Sequence, residues 1–327
     1  MKGYEYLKKV IITGSQGQDG ILLRQLLEAQ GIEVIGFSRP GPIPDNTVLR
    51  FAKNQDFRVD LGNFEICLNI VGSLEPDAIF HLAAEHAPSH IMKTSDWDAK
   101  RELVHKTHVL MTENFARSIL ETNHKCRLIV AGSSRMYSAE GSNLRVNETT
   151  VIKPVDFYGA SKVAAWEVLR DYRQKYGLAL KMATLFNHES KLRKSGYLFS
   201  DLAAQIRIYI SGDQDFILVR DPDFKGDWHA AKDTVSGLQI MAENINVEDL
   251  VLASGDSISV REIIESYFEI YHSKIRPTIK VTGNPRDSAN RHELIGDPSL
   301  AESLGWVRTH SIIDVLHEIV SDDRHFS

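Results

Sequence analysis

The order of apolar patterns along this 327-residue chain predicts an α/β fold, a doubly wound parallel sheet with a smaller C-terminal lobe. Three observations predict it. A β-branched run, Lys9 to Thr13, leads into a turn with glycines at 14, 17 and 20 and then into a helical apolar pattern. Further strand signals alternate with helices long enough to cross back to a parallel neighbour. After Asn187 that alternation breaks, and Gly196, Gly212, Pro222 and Gly226 fall among mixed signals.

Taken in order, the first strand is Lys9-Val10-Ile11-Ile12-Thr13, Gly14 to Gly20 is the turn, and Ile21 to Gln30 is helical. Gly31 stops that helix and Glu33 to Phe37 is the second strand. Strand Asp77 to Leu82, one helix from about Lys100 to Asn123, strand Arg127 to Ala131, helix Tyr158 to Tyr176 and strand Ala179 to Leu185 follow. A helix-rich tail begins at Ser259. The rhythm is that of a Rossmann-type domain over residues 1–186, with return segments from about 229–258. Residues 187–228 and 259–327 are expected to build the smaller, substrate-binding lobe.

Composition narrows the class. Lys and Arg number 38 against 44 Asp and Glu, a net charge of −6 with no block of one sign, so no footprint for nucleic acid or anionic lipid is expected. Two cysteines, Cys67 and Cys126, are too few for a disulfide framework and suit a reducing compartment as buried apolar residues. No apolar stretch approaches a membrane span, and a charged Met1 to Lys9 lacks a signal-peptide core. A cytoplasmic protein is expected. Thirteen histidines raise a metal reading, with His81, His86 and His90 foremost, but no metal-ligand spacing supports it.

The turn Thr13-Gly14-Ser15-Gln16-Gly17-Gln18-Asp19-Gly20 follows a strand and opens a helix. Gly14 permits the tight turn, Gly17 lets backbone approach a pyrophosphate, and Gly20 lets helix and strand pack closely. A plain βα turn has the same glycines; the flanking strand and helix favour a dinucleotide site. After the second strand stands Phe37-Ser38-Arg39, with no acid to hold a ribose 2′-hydroxyl, so Arg39 favours NADP over NAD unless it is only a solvated loop charge. Leu82, Ala83 and Ala84 place small residues beside the cofactor. Tyr158 and Lys162 form a Y-x-x-x-K pair on one helical face, and Ser133 ends the preceding strand. A lysine ammonium there stabilises tyrosinate, Tyr158 exchanges a proton with an alcohol, and Ser133 hydrogen-bonds the same oxygen.

These segments resemble the extended short-chain dehydrogenase/reductases that modify nucleotide sugars, over essentially the full chain, and among them the GDP-mannose 4,6-dehydratases. The resemblance is carried by the glycine turn, Tyr158-Gly159-Ala160-Ser161-Lys162, Leu185-Phe186-Asn187-His188-Glu189-Ser190, Gly226 to Asp233, and Gly296-Asp297-Pro298 ahead of Leu304-Gly305-Trp306. It implies a cofactor site of Gly14, Gln16, Gly17, Gln18, Asp19, Gly20, Arg39, Asp60, Leu61, Leu82, Ala83, Ala84, Tyr158 and Lys162, with Asp60 near the adenine. It implies a substrate site of Glu85, His86, Ser134, Asn187, His188, Glu189, Arg193 and Lys194. Asn187 would hold the sugar nucleotide near its phosphates, and Arg193 or Lys194 would meet the diphosphate. A homodimer or homotetramer is the expected assembly.

Two departures stand out. Where the dehydratases carry a glutamate two positions after the catalytic serine or threonine, as the base for the C5 proton, this chain has Arg135, which is always protonated. Lys225-Gly226-Asp227 also lacks the arginine expected before the aspartate. The expected function is NADP-dependent 4,6-dehydration of a GDP- or other NDP-hexose, with Ser133, Tyr158, Lys162 and Arg135 in the catalytic cluster. A 4-epimerase or 4-keto-sugar reductase is the alternative, because neither needs a C5 base. A non-catalytic nucleotide sensor is the second alternative, and the intact Ser133, Tyr158 and Lys162 speak against it.

Overall fold

Val10 and Ile12 of the first strand point into one core and Ile11 into another, as alternate residues of a strand covered on both faces must. The computed structural model describes residues 5–39, 55–85, 97–122, 125–140, 142–282 and 292–322. The chain begins β1 (Lys9–Thr13), α1 (Gln18–Ala29), β2 (Glu33–Ser38), β3 (Asp56–Arg58), α2 (Phe64–Leu74), β4 (Ala78–His81), α3 (Trp97–His105), α4 (Met111–Thr122) and β5 (Arg127–Ala131). It continues β6 (Leu144–Val146), α5 (Phe157–Tyr176), β7 (Leu180–Leu185), β8 (Asn187–Glu189), α6 (Leu198–Ser211), β9 (Ile217–Val219), β10 (Lys225–Gly226), β11 (Trp228–Ala230), α7 (Ala231–Glu243) and β12 (Asp249–Leu252). Last come β13 (Ile258–Ser259), α8 (Val260–Tyr271), β14 (Ile279–Val281), β15 (Leu294–Gly296), α9 (Ser299–Ser303) and α10 (Ile312–Val320).

Seven strands form one sheet in the order β12-β7-β5-β4-β1-β2-β3, every pairing parallel. The order reverses direction on either side of β1 and β4, so a crevice opens at their carboxyl ends, where open α/β sheets bind ligands. One face packs Ile11, Phe115, Leu128 and Leu169 under α2, α4 and α5; the other packs Val10, Leu23, Phe80, Leu238 and Trp306 under α1 and α7. A third core, with Phe199, Ile206, Trp228, Tyr267, Phe268 and Leu316, lies among α6, α8 and α10.

Local chemistry sets the element ends. Asn63 caps α2 by accepting from Glu65 N at 2.9 Å, and Ser259 with Glu262 forms a capping box on α8. α1 starts three residues earlier than its apolar pattern, at Gln18, because the glycine turn winds directly into it. The single helix expected from Lys100 to Asn123 is corrected to α3, a π-helical turn over Lys106–Leu110, and α4. Apolar spacing does not reveal the extra residue of such a turn. β3, three residues long, is too short to show a period. No helix among the described residues is long and apolar enough to cross a membrane. Cys67 and Cys126 are buried free thiols, both raised by burial.

Candidate active site

The glycine turn is built with no room for side chains. Gly14 adopts φ +69°, and a Cβ there would stand 2.8 Å from Ala83 N. A Cβ on Gly20 would stand 2.4 Å from Gly14 O. Gly14 N donates to Phe37 O at 2.8 Å, joining the turn to β2. Gly17 heads α1 with no side-chain cap, and Gln16 and Gly17 are exposed. A helix N-terminus of that kind, presented by a backbone cradle, fits the pyrophosphate of a dinucleotide. Ser15 Oγ within the turn is buried without a hydrogen-bond partner in the protein, as a site completed by a ligand leaves it.

The neighbouring strand ends are locked by a directed chain that the sequence did not reveal. Thr107 O accepts only, so His81 Nε2 carries the hydrogen that reaches it at 3.0 Å. His81 Nδ1 then accepts from Thr13 Oγ1 at 2.7 Å, and Thr13 Oγ1 accepts from Ala83 N at 3.2 Å. Burial, with Lys162 nearby, lowers the imidazole to about 4, so it stays neutral as this chain requires. Thr13 and His81 are register partners of β1 and β4, the one signal that could have found them. His81 is thereby occupied structurally. Among the described residues no group of three His, Cys, Asp or Glu is arranged to hold a metal ion, and His86 and His90 lie outside those residues.

Tyr158 and Lys162 sit in the first turns of α5, with Lys162 Nζ 5.7 Å from the Tyr158 ring centroid. Burial pushes the Lys162 ammonium down to about 7 and the Tyr158 hydroxyl well up. Ser133 Oγ accepts from Arg135 N at 3.2 Å and caps a short 3-10 turn, Ser134–Met136, held against α5 where Val155 N donates to Arg135 O at 3.1 Å. Ser134 is half-buried in that turn. Arg135 turns away from base chemistry: its Nε donates to Asp156 Oδ2 at 2.8 Å, and its Nη2 bonds the same oxygen. Asp156 Oδ1 in turn caps α5 by accepting from Gly159 N at 2.8 Å. Arg135 therefore supports the helix that carries Tyr158.

The segment around Asn187 meets the glycine turn directly. His188 Nδ1 donates to Phe186 O at 2.7 Å and Nε2 donates to Asp19 at 3.0 Å. Burial opposes both charges, but the pairing wins: with Arg193 it takes Asp19 down to about 2, and His188 is raised. Gln18 donates to His188 O at 3.2 Å and accepts from Ser190 Oγ at 2.8 Å. Arg193 bonds Glu189 at 2.9 Å and His188 O. Glu189 is buried, and burial raises its carboxyl despite Arg193. Asn187 Nδ2 donates to Asp227 O at 3.1 Å. Lys194 is exposed.

Of the remaining expected contacts, Ala83 lies beside Gly14, Ala84 follows it half-buried, and Leu82 packs under the second core. Asp60 accepts from Gly62 N at 2.9 Å and pairs with Lys106 at 2.7 Å. Leu61 buries its side chain in the first core and gives its carbonyl to Asn114. Arg39, 74% exposed, pairs with Glu85 at 2.8 Å across the mouth of the sheet. His86 lies outside the described residues. A cavity of about 360 Å³ lined by Tyr137, Glu148, Trp166, Thr184 and Asp249 is separate, since Ser133, Tyr158 and Lys162 do not line it.

The parallel sheet, the glycine cradle at its mouth and the Y-x-x-x-K helix define an extended short-chain dehydrogenase/reductase. The family profile described as GDP-mannose 4,6 dehydratase matches residues 11–319, and the chain belongs to that family. The GDP-mannose 4,6-dehydratase of Yersinia enterocolitica is 27% identical over 355 residues, covering 97% of this chain and 94% of that protein. The dTDP-glucose 4,6-dehydratase of Bacillus anthracis in complex with NAD superposes with a TM-score of 0.74 at 15% identity, covering 96% of this chain and 95% of that one. RMD from Pseudomonas aeruginosa complexed with NADPH gives 0.73 at 20% identity, with 96% of each chain covered. At such identities the structural likenesses establish the fold.

Proposed function

We propose that this protein performs NADP-dependent 4,6-dehydration of a GDP-hexose, or a related NDP-hexose, to the 4-keto-6-deoxy sugar. The observation that carries it is the family match over 11–319, which runs unbroken through every segment that builds the site. Gly14, Gly17, Gly20 and the start of α1 would hold the dinucleotide, which supplies a hydride acceptor and donor. Tyr158 takes the proton of the C4 hydroxyl, with Ser133 bonded to the same oxygen and the Lys162 charge beside the ring. The 4-keto group acidifies C5–H; a base takes that proton, and the C6 hydroxyl gains a proton and leaves as water. The resulting 5,6-alkene would be completed to the 6-deoxy sugar by return of the hydride to C6 and of a proton to C5. Glu189, Glu85 and His86 are the candidate acceptors; burial raises the Glu189 carboxyl, and Glu189 and Glu85 each carry an arginine partner, Arg193 and Arg39. The lobe core among α6, α8 and α10 would carry the sugar-nucleotide side of the cleft. Cytoplasmic location and a homodimer or homotetramer complete the proposal; light scattering reads the assembly.

One observation favours a second reading. Arg135, ion-paired to Asp156, occupies the place of the family's C5 base, and an epimerase or 4-keto-sugar reductase needs no such base. Incubation with GDP-mannose, UDP-glucose and dTDP-glucose in D2O, followed by proton NMR, separates the two. Dehydration gives a new C6 methyl with deuterium at C5. An unlabelled C5 with an intact C6 hydroxyl sinks it.

NADP rather than NAD rests on Arg39, whose planar fork suits a 2′-phosphate. Arg39→Ala is expected to weaken NADP more than NAD by titration calorimetry. Equal weakening, or a wild type that binds NAD more tightly, removes Arg39 from cofactor choice.

A further inference from the structure

We propose that His108 is a positioning residue for Tyr158, an assignment that rests on Tyr158 being the proton-transfer group. His108 is 1% exposed and sits in the π-helical turn between α3 and α4. Such turns add one residue to a helix and re-aim the side chains and carbonyls around it. Here the loosened carbonyls are taken up from both sides: Thr107 O by His81 Nε2, and His108 O by Thr112 Oγ1 at 2.6 Å.

The ring of His108 has one consistent protonation pattern. Glu85 N can only donate, so His108 Nε2 accepts from it at 3.1 Å and the ring hydrogen resides on Nδ1. Nδ1 then donates to Ser161 Oγ at 2.8 Å, and Ser161 Oγ donates to Tyr158 O at 2.7 Å. The neutral imidazole also lies edge-to-face against the Tyr158 ring, with centroids 5.3 Å apart at 88°. One side chain thus bridges the segment leaving β4, next to the glycine turn, and the first turn of α5. It braces the Tyr158 ring from one side and ties the backbone of Tyr158 through Ser161. Depth and tilt of the phenol relative to the reacting carbon follow from that brace, and misplacement of a reacting group by about 1 Å costs roughly a hundredfold in rate.

The test is a double-mutant cycle with GDP-mannose and NADP, read as single-turnover rate, KM and NADP affinity. His108→Ala is expected to lower the rate by at least about tenfold while KM and NADP affinity stay within about threefold, since the loss is one of geometry. In a Tyr158→Phe background the same substitution is expected to cost nothing further, because there is no phenol hydroxyl left to position. His108→Asn keeps a donor near the Nδ1 position and is expected to recover part of the rate; it also serves where the alanine variant fails to fold. Losses that multiply in the Tyr158→Phe background, or a KM that rises in step with the fall in rate, overturn the proposal. Near-normal turnover of Tyr158→Phe alone would remove the underlying assignment, and the brace with it; that single variant keeps the two failures apart.

Discussion

Tyr158→Phe is expected to lower turnover by at least about a hundredfold, the scale of a lost positioned acid or base. The substitution removes one oxygen from a half-buried ring and leaves the ring's edge contact with His108 and its place beside Lys162. Folding and NADP affinity should therefore stay close to those of the wild type. The phenol is held high by burial, so it works as a proton carrier only with cationic help close by, and Lys162 is placed to give it. Steady-state rates alongside thermal melting check both halves of the expectation. Turnover within a few fold of wild type takes Tyr158 out of the mechanism.

Gly14→Ala is expected to be the most damaging small change in the cofactor site. The backbone there lies at φ +69°, where an L side chain costs about 1–2 kcal/mol, and the added carbon meets Ala83 N at 2.8 Å and Ala83 Cα at 2.9 Å. Both obstacles are backbone, held from below by the Thr13 and His81 chain, so neither gives way cheaply. Crowding of that kind adds about 1–3 kcal/mol. The turn must shift, the cradle opens, and dinucleotide affinity should fall by at least about tenfold, with a Tm several degrees lower. Calorimetric titration with NADP and NAD reads the first effect and a melting curve the second. Unchanged affinity for both would show that the turn does not hold the cofactor.

What the sequence by itself determined lies within single turns and strands. The β-branched run of β1, the glycine spacing and the i, i+4 pairing of Tyr158 with Lys162 are local, so their consequences are written in neighbouring letters. Family resemblance drew attention to the segment from Asn187 to Ser190, which the family match spans. Tertiary structure alone decided which of these meet. Asp19 and His188, 169 residues apart, become an ion pair because β8 leaves the sheet toward the start of α1. Thr13 and His81, 68 residues apart, join because β1 and β4 are adjacent in the sheet, an order no local pattern encodes. Arg135 looks in the sequence like a lost base; Asp156, 21 residues on, makes it a support for the helix that carries Tyr158. The π turn that aims His108 at Tyr158 was invisible because one extra residue scarcely disturbs an apolar period, yet only the packed helix exposes its effect. Pairings across the chain depend on how strands order and helices cross, and those are settled by burying two faces of one sheet at once.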